Sequence, residues 1–372
     1  MRFVYFTHSL VSDWNHGNAH FQRGVLKALQ RLGHEVTAFE PNDGWSISNL
    51  RSERGQTAER SFAARFPTLT SRTYSQDVNI DAAVDVADVV LVHEWNEPWL
   101  VGALGRARAG GGRFRLLFHD THHRAVSDPA GLDAFDLEAY DGVLAFGEAI
   151  REIYAARGWA DRVWTWHEAA DTDLFHPISG VERVGDLIWI GNWGDDERGQ
   201  ELREFLIEPV ADLRLGARVH GVRYPAQALE ELRSAGIRYG GWIANAEVPD
   251  AFARHRLTVH VPRRYYAERL PGIPTIRVFE ALACGIPLVS APWRDSEGLF
   301  RAGTDFLFAK DGLEMKHRLS ELVADPDLRE SLSRHGRETI LKRHTCDHRA
   351  RELLSICETL GVAASEPRRV VA

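Results

Sequence analysis

The sequence predicts an α/β protein built as two parallel-sheet domains, and three observations carry that reading. Short apolar runs of β-type residues alternate with amphipathic helical stretches, the pattern of a parallel sheet covered on both faces. These runs fall into two series, separated by a segment at 169–180 that holds Pro177 and Gly180. At 372 residues the chain exceeds one ordinary domain and suits two of roughly 150–180 residues.

In the first series the expected strands are Phe3–Phe6, Glu35–Phe39, Val89–Val92, Phe114–Phe118, Val143–Phe146 and Arg162–Trp166. A helix from about Ala19 to Leu32 carries Val25, Leu26, Leu29 and Leu32 on one face, with Gly33 as its C-terminal stop. The second series comprises Leu187–Ile190, Arg218–His220, Leu257–Val261 and Leu288–Ser290. The expected organisation is a first domain at 1–168, a linker at 169–180 and a second domain at 181–345. A C-terminal helix at 346–360 would pack back toward the first domain, followed by a flexible tail at 361–372. The stretch Asn42–Ser75 is polar and Arg-rich without a clean period, and reads as a long loop.

Composition excludes several classes. A net charge of −8 argues against a nucleic-acid surface or a polybasic membrane surface. The basic residues are 41 Arg against four Lys, a bias that suits bidentate phosphate recognition and equally reflects genome composition. Cys284, Cys346 and Cys357 are odd in number and far apart, which fits neither a disulfide framework nor a metal knuckle and points to a reducing, cytoplasmic setting. The apolar N-terminal run stops at His8, too early for a signal peptide, and no stretch approaches the roughly 20 apolar residues of a membrane span.

Ligands of open parallel sheets bind beyond the carboxyl ends of the strands, which ranks polar residues by position. In the first half those positions hold His8-Ser9, Glu94-Trp95-Asn96, His119-Asp120, Gly147-Glu148 and His167-Glu168. In the second they hold Gly191-Asn192-Trp193, Gly221, Pro262-Arg263-Arg264 and Ala291-Pro292. The loop His16-Gly17-Asn18 runs into the first helix, where free backbone N–H groups can meet an anion or a sugar hydroxyl. A dinucleotide site would show three glycines there; one is present, although Glu40 stands where a ribose-binding acid would. The cluster His119-Asp120-Thr121-His122-His123 admits three readings: a metal site, a substrate-contacting or proton-carrying His119, Asp120 or His122, and histidines that cap the next helix. Asp171-Thr172-Asp173 has the form of a metal-binding D-x-D but reads better as turn and cap residues.

The segment 271–290 reads as loop, short helix, Gly stop and buried strand. Its helix start at Thr275-Ile276-Arg277 offers N–H donors, a positive dipole end and a guanidinium fork to a diphosphate. Glu280, one turn in, is placed to accept hydrogen bonds from ribose hydroxyls, or to pair with a nearby Arg.

The run from Ile276 to Val289 resembles the nucleotide-sugar-binding motif of family-4-type glycosyltransferases (glycosyl transferases group 1) of the GT-B fold, with two Rossmann-like domains facing each other across a deep cleft. The segment Ala170–Pro177 is similar to the same family's interdomain stretch. Phe118–His123, Trp166–Ala170 and Ile190–Gly194, in this order, resemble the CgeB-like branch, named for a spore maturation protein. The resemblance implies a retaining, metal-independent, cofactor-free transferase with an acceptor-binding first domain and a donor-binding second domain. It implies that Glu280 binds the donor ribose, that Thr275, Ile276 and Arg277 meet the diphosphate, and that His119 lies near the transferred sugar. The acceptor would be a glycan, a lipid-linked sugar, a protein or a small molecule, and His16, Gly17, Asn18, Glu94 and Trp95 are its expected neighbours. Two departures stand out. The acid that the family often places eight residues before Glu280 is Gly272 here. The usual Arg and Lys pair after Gly191-Asn192-Trp193 has no clear match, which leaves Arg263 and Arg264 as substitutes. Rival readings are a non-catalytic nucleotide-sugar- or glycan-binding protein on the same fold, and a metal-dependent hydrolase using His119–His123.

Overall fold

The structure, a computed structural model, describes residues 1–55, 57–194 and 197–362. The chain divides into two compact units, one of Met1–His167 with the segment from Cys346 onward, the other of Glu168–Thr345. Of the tail expected at 361–372, all but Gly361 and Val362 lies outside the described residues.

The first unit is a seven-stranded sheet of β1 (Arg2–Phe6), β2 (Glu35–Pro41), β3 (Ser71–Tyr74), β4 (Val89–His93), β5 (Arg115–Asp120), β6 (Gly142–Ala145) and β7 (Val163–Thr165). Its order is β3-β2-β1-β4-β5-β6-β7, with every pairing parallel. Chain progress reverses between β1 and β4, so the crevice for a ligand lies beyond the ends of those two strands. β4 is buried at all five positions, as a strand covered on both faces must be. The helix Ala19–Arg31 ends where expected: Gly33 has φ +86, and the N–H groups of Gly33 and His34 donate to the carbonyls of Gln30 and Leu29.

The stretch 42–75 is not a loop. It forms the helices Trp45–Arg54 and Thr57–Arg65 and then the edge strand β3. Its buried apolar residues, Ile47, Leu50, Phe62, Phe66 and Leu69, are spaced too irregularly to mark a period, and β3 buries only Tyr74. Elements at a sheet margin need only one contact face, so polar residues fill the rest.

The helix Cys346–Thr359 belongs to the first unit and packs against the helix Ala19–Arg31. The Cys346 thiol points at the Phe21 carbonyl (3.7 Å), Asp347 pairs with Arg31 (2.8 Å), and the Trp166 indole N–H donates to the Arg349 carbonyl (2.9 Å).

The second unit holds β8 (Gly185–Ile190), β9 (Ala217–His220), β10 (Arg238–Tyr239), β11 (His255–His260), β12 (Leu288–Ser290) and β13 (Leu307–Phe308). They form one parallel sheet in the order β10-β9-β8-β11-β12-β13, and the reversal falls between β8 and β11. The two-residue edge strands β10 and β13 were not expected, because so short a run carries no alternation. The segment 169–180 lies within this unit: Ala169, Ala170 and Phe175 are buried, and the Ala170 N–H donates to the His344 carbonyl (3.0 Å). Among the described residues no helix is long and apolar enough to cross a membrane.

Candidate functional site

In the second unit, polar groups converge at the β8/β11 reversal. Gly191 and Asn192 follow β8, and their turn is tight: a Cβ on Gly221 (φ +156) would lie 1.9 Å from the Gly191 carbonyl oxygen. Glycine is therefore required at 221 for that close approach. The Tyr224 hydroxyl donates to the same carbonyl (2.9 Å), and Trp193 packs against the Tyr224 ring.

Two guanidiniums face this turn. Arg198 donates from Nη2 to the Asn192 carbonyl (2.5 Å) and to Asn192 Oδ1 (2.9 Å), and from Nη1 to the Val261 carbonyl (3.1 Å) at the end of β11. Its guanidinium lies over the Trp189 ring, 5.0 Å from the centroid. Arg263 donates from Nη2 to the same Asn192 Oδ1 (3.2 Å), while its Nη1 pairs with Glu197 (2.6 Å). Burial, then the charge of Arg263 and more weakly that of Arg277, push Arg198 down to about 9. Crowded positive charge of this kind favours an anion. Arg264 turns instead to Glu201, at 3.0 and 3.4 Å, and is not part of the convergence.

The helix Thr275–Cys284 begins close by, and no side chain caps its N-terminus. Thr275 holds φ +57, unusual for a β-branched residue, and its Oγ1 is 3.4 Å from His260 Nε2. His260, at the end of β11, is bonded through Nδ1 to Ser290 Oγ (2.9 Å); burial first, then Arg198, lowers it to about 3 and keeps it neutral. Glu280 is fully buried and pairs with Arg277 one turn earlier. Ile276 is buried beneath this turn. The helix ends at Gly285 (φ +68), with Ile286 N–H donating to the Ala281 carbonyl. Gly272 (φ +91) is explained by Glu297, whose Oε1 would lie 2.5 Å from a Cβ at 272. A carboxylate thus stands beside position 272 although the residue there has none.

In the first unit the strand ends are denser still. Glu40 does not face a ligand: its Oε2 accepts from Ser9 Oγ (3.0 Å) and Leu10 N–H (2.9 Å), and its Oε1 from Ser71 Oγ (2.5 Å). It pins the loop after β1, as does buried Arg23, which donates to the Leu10 and Val11 carbonyls and pairs with Asp13 (3.0 Å). His16, Gly17 and Asn18 close that loop, and the Gly17 carbonyl accepts from His20 Nδ1 (3.0 Å).

His119 and Asp120 lie inside β5 rather than in an open turn. His119 is 1% exposed, with Nδ1 2.8 Å from the Tyr5 hydroxyl and its ring edge-on to Trp166. Burial lowers it to about 3. Asp120 accepts from the Tyr154 hydroxyl (2.8 Å) and the His122 N–H (3.0 Å), and burial raises it to about 6. Its neighbour Glu94 is also raised, by burial and then by the charge of Asp120, and accepts from Thr121 N–H (2.7 Å). His122 is half-buried and packs edge-on to exposed Trp95, with Arg124 above the same indole. Among the described residues the one group able to converge on a metal ion is His8, His16 and His93, not His119–His123.

Sequence reasoning found Arg277, Glu280 and Arg263, but missed Arg198, His260 and Glu297. Arg198 had a faint signal, as an Arg a few residues past a strand-end Gly-Asn-Trp. Glu297 had none, since its closeness to Gly272 arises only from folding.

The two parallel sheets have the arrangement of the GT-B glycosyltransferase fold. The chain is similar over nearly its whole length to solved structures of that class. Sucrose-phosphate synthase from Thermosynechococcus elongatus matches with TM-score 0.65 at 14% identity, covering 98% of this chain and 100% of that one. HepE from Anabaena, in complex with UDP-glucose, matches with TM-score 0.68 at 12% identity, covering 96% and 100%. T4 phage BGT, in complex with UDP and Mn²⁺, matches with TM-score 0.62 at 14% identity, covering 96% and 99%. Within the chain, residues 200–355, which take in most of the second unit, match the model of a glycosyl transferase-like family. No curated protein sequence matches the chain significantly.

Proposed function

We propose that this protein is a glycosyltransferase that takes a sugar from a nucleoside-diphosphate donor, of which a UDP-sugar is the first to test, and passes it to a hydroxyl-bearing acceptor. The observation that carries the reading is the convergence of Arg198 and Arg263 on Asn192 at the β8/β11 reversal, beside the uncapped helix start at Thr275. HepE and BGT, solved in complex with UDP-glucose and with UDP, share this fold.

In this proposal the second unit binds the donor. Arg198, Arg263 and the N–H groups at Thr275–Arg277 neutralise the diphosphate as it leaves, supplying fixed charge where other transferases use a metal. Glu280 meets the ribose hydroxyls, and Arg277 holds its carboxylate in place. The leaving phosphate takes the acceptor proton, so the retaining reaction needs no separate base. The first unit binds the acceptor, with half-buried His122 and exposed Trp95 as the groups best placed to meet it.

Calorimetry of UDP binding to the Arg198→Gln variant tests this. A charged hydrogen-bonding partner is worth about 1.5–3 kcal/mol, so affinity for UDP is expected to fall about 10- to 150-fold, with uridine affinity little changed. Donor binding is expected to persist in EDTA. Unchanged UDP affinity in Arg198→Gln would remove the arginine cluster from the donor site.

A further inference from the structure

The carboxyl ends of β1 and β4, the strands that flank the reversal of the first sheet, gather three histidines that the donor chemistry does not use. His8 and His16 come from the loop that follows β1, and His93 is the last residue of β4. One ring nitrogen from each lies within 4.8 Å of the others. The rings of His8 and His16 are 4.1 Å apart at their centroids, and those of His8 and His93 5.4 Å. His8 is 4% exposed, and neither of its nitrogens has a hydrogen-bond partner among the described residues. A buried imidazole left so is costly, and stacking against Trp45 supplies no hydrogen bond.

Groups around the cluster orient it as ligands are oriented. Thr121 Oγ1 donates to Glu94 Oε1 (3.2 Å) and stands 3.0 Å from His93 Nε2, so Nε2–H donates to the hydroxyl and Nδ1 keeps its lone pair. The Trp95 N–H donates to Nδ1 (3.3 Å), which agrees with that tautomer, and a metal ion at Nδ1 would take the place of this bond. A carboxylate acting through a hydroxyl on the far nitrogen is the arrangement that holds metal-bound imidazoles. His16 is hydrogen-bonded to the Ser12 backbone.

We propose that His8, His16 and His93 form a binding site for a divalent transition-metal ion of the zinc class, with a fourth position open to water or a ligand oxygen. Three imidazoles suit Zn²⁺ and its neighbours, and a site with three protein ligands leaves one position free. The site belongs to the first unit, so it stands or falls separately from the donor assignment.

The test uses the full chain, with no affinity tag, purified without chelator. Elemental analysis is expected to find about one zinc per chain. Zn²⁺ added back to chelator-stripped protein is expected to raise its unfolding temperature in a saturable way. His8→Asn and His16→Gln, checked for folding by circular dichroism, are expected to lower Zn²⁺ affinity by more than about 100-fold, beyond the effect of an outer-shell change. Thr121→Val, which leaves all three imidazoles in place, is expected to weaken it about 10- to 100-fold, and keeps the test readable if a histidine variant fails to fold. His122→Gln is expected to retain the metal. Absence of both stoichiometric metal and a saturable Zn²⁺ response in the unaltered protein overturns the proposal. So does equal Zn²⁺ affinity in folded His8→Asn and His16→Gln.

Discussion

At the scale of single residues, Gly272 shows how one position can be read two ways. In the sequence it marks a missing acid; in the structure Glu297 lies against it, closer than a Cβ could tolerate, on a backbone at φ +91. Gly272→Ala is therefore expected to destabilise the second unit by about 1–3 kcal/mol, through both strain and overlap. In a Glu297→Ala background the overlap disappears and the strain remains, so the cost should shrink without vanishing. Urea unfolding of the four proteins measures this; a full cost in both backgrounds would separate Glu297 from Gly272.

At the scale of elements, the C-terminal helix Cys346–Thr359 is a structural part of the first unit although about 180 residues of the second unit precede it. Leu353 is fully buried along it. Leu353→Ala is expected to cost about 2–5 kcal/mol, seen in thermal unfolding as an earlier transition of the first unit with the second unit's transition unmoved. A shift of the second transition alone would contradict that assignment. The helix start at Thr275 and the turn at Gly191 are elements of the other kind, in which backbone geometry presents N–H groups and carbonyls for chemistry rather than for packing.

At the scale of the whole molecule, buried titratable groups make stability depend on pH. His8, His119 and His260 are each lowered to about 3 by burial. A base depressed in this way stabilises the fold above its unfolded value of about 6.5, and that contribution is lost as pH falls from there toward 3, at about 1.4 kcal/mol per pH unit for each group. Asp120, raised to about 6 by burial, acts in the opposite sense: its contribution is complete below about 4 and lost as pH rises through 6. His16 and His93 are lowered by burial in the same way, and Glu94 is raised like Asp120; five buried histidines outweigh two carboxyls, so the unfolding temperature is expected to drop between pH 6.5 and 5. Scanning calorimetry across that range checks it, and Asp120→Asn should steepen the drop. A flat profile would mean that the histidines are not buried neutral.

Much of the fold was legible in order along the chain. Six of the seven strands of the first sheet and four of the six of the second coincide with apolar runs, because a strand buried on both faces must be apolar throughout. The edge strands β3, β10 and β13 were hidden, being polar or too short to carry a period. Of the candidate site, the sequence by itself determined the helix-end segment with Arg277 and Glu280, whose residues are neighbours on one turn and need no fold to bring them together. Only the tertiary structure decided that Arg198 joins Arg263 at Asn192, that Glu297 stands beside Gly272, and that His8, His16 and His93 meet. Those groups are far apart along the chain, and parallel pairing of β8 with β11 and of β1 with β4 is what brings their strand ends side by side.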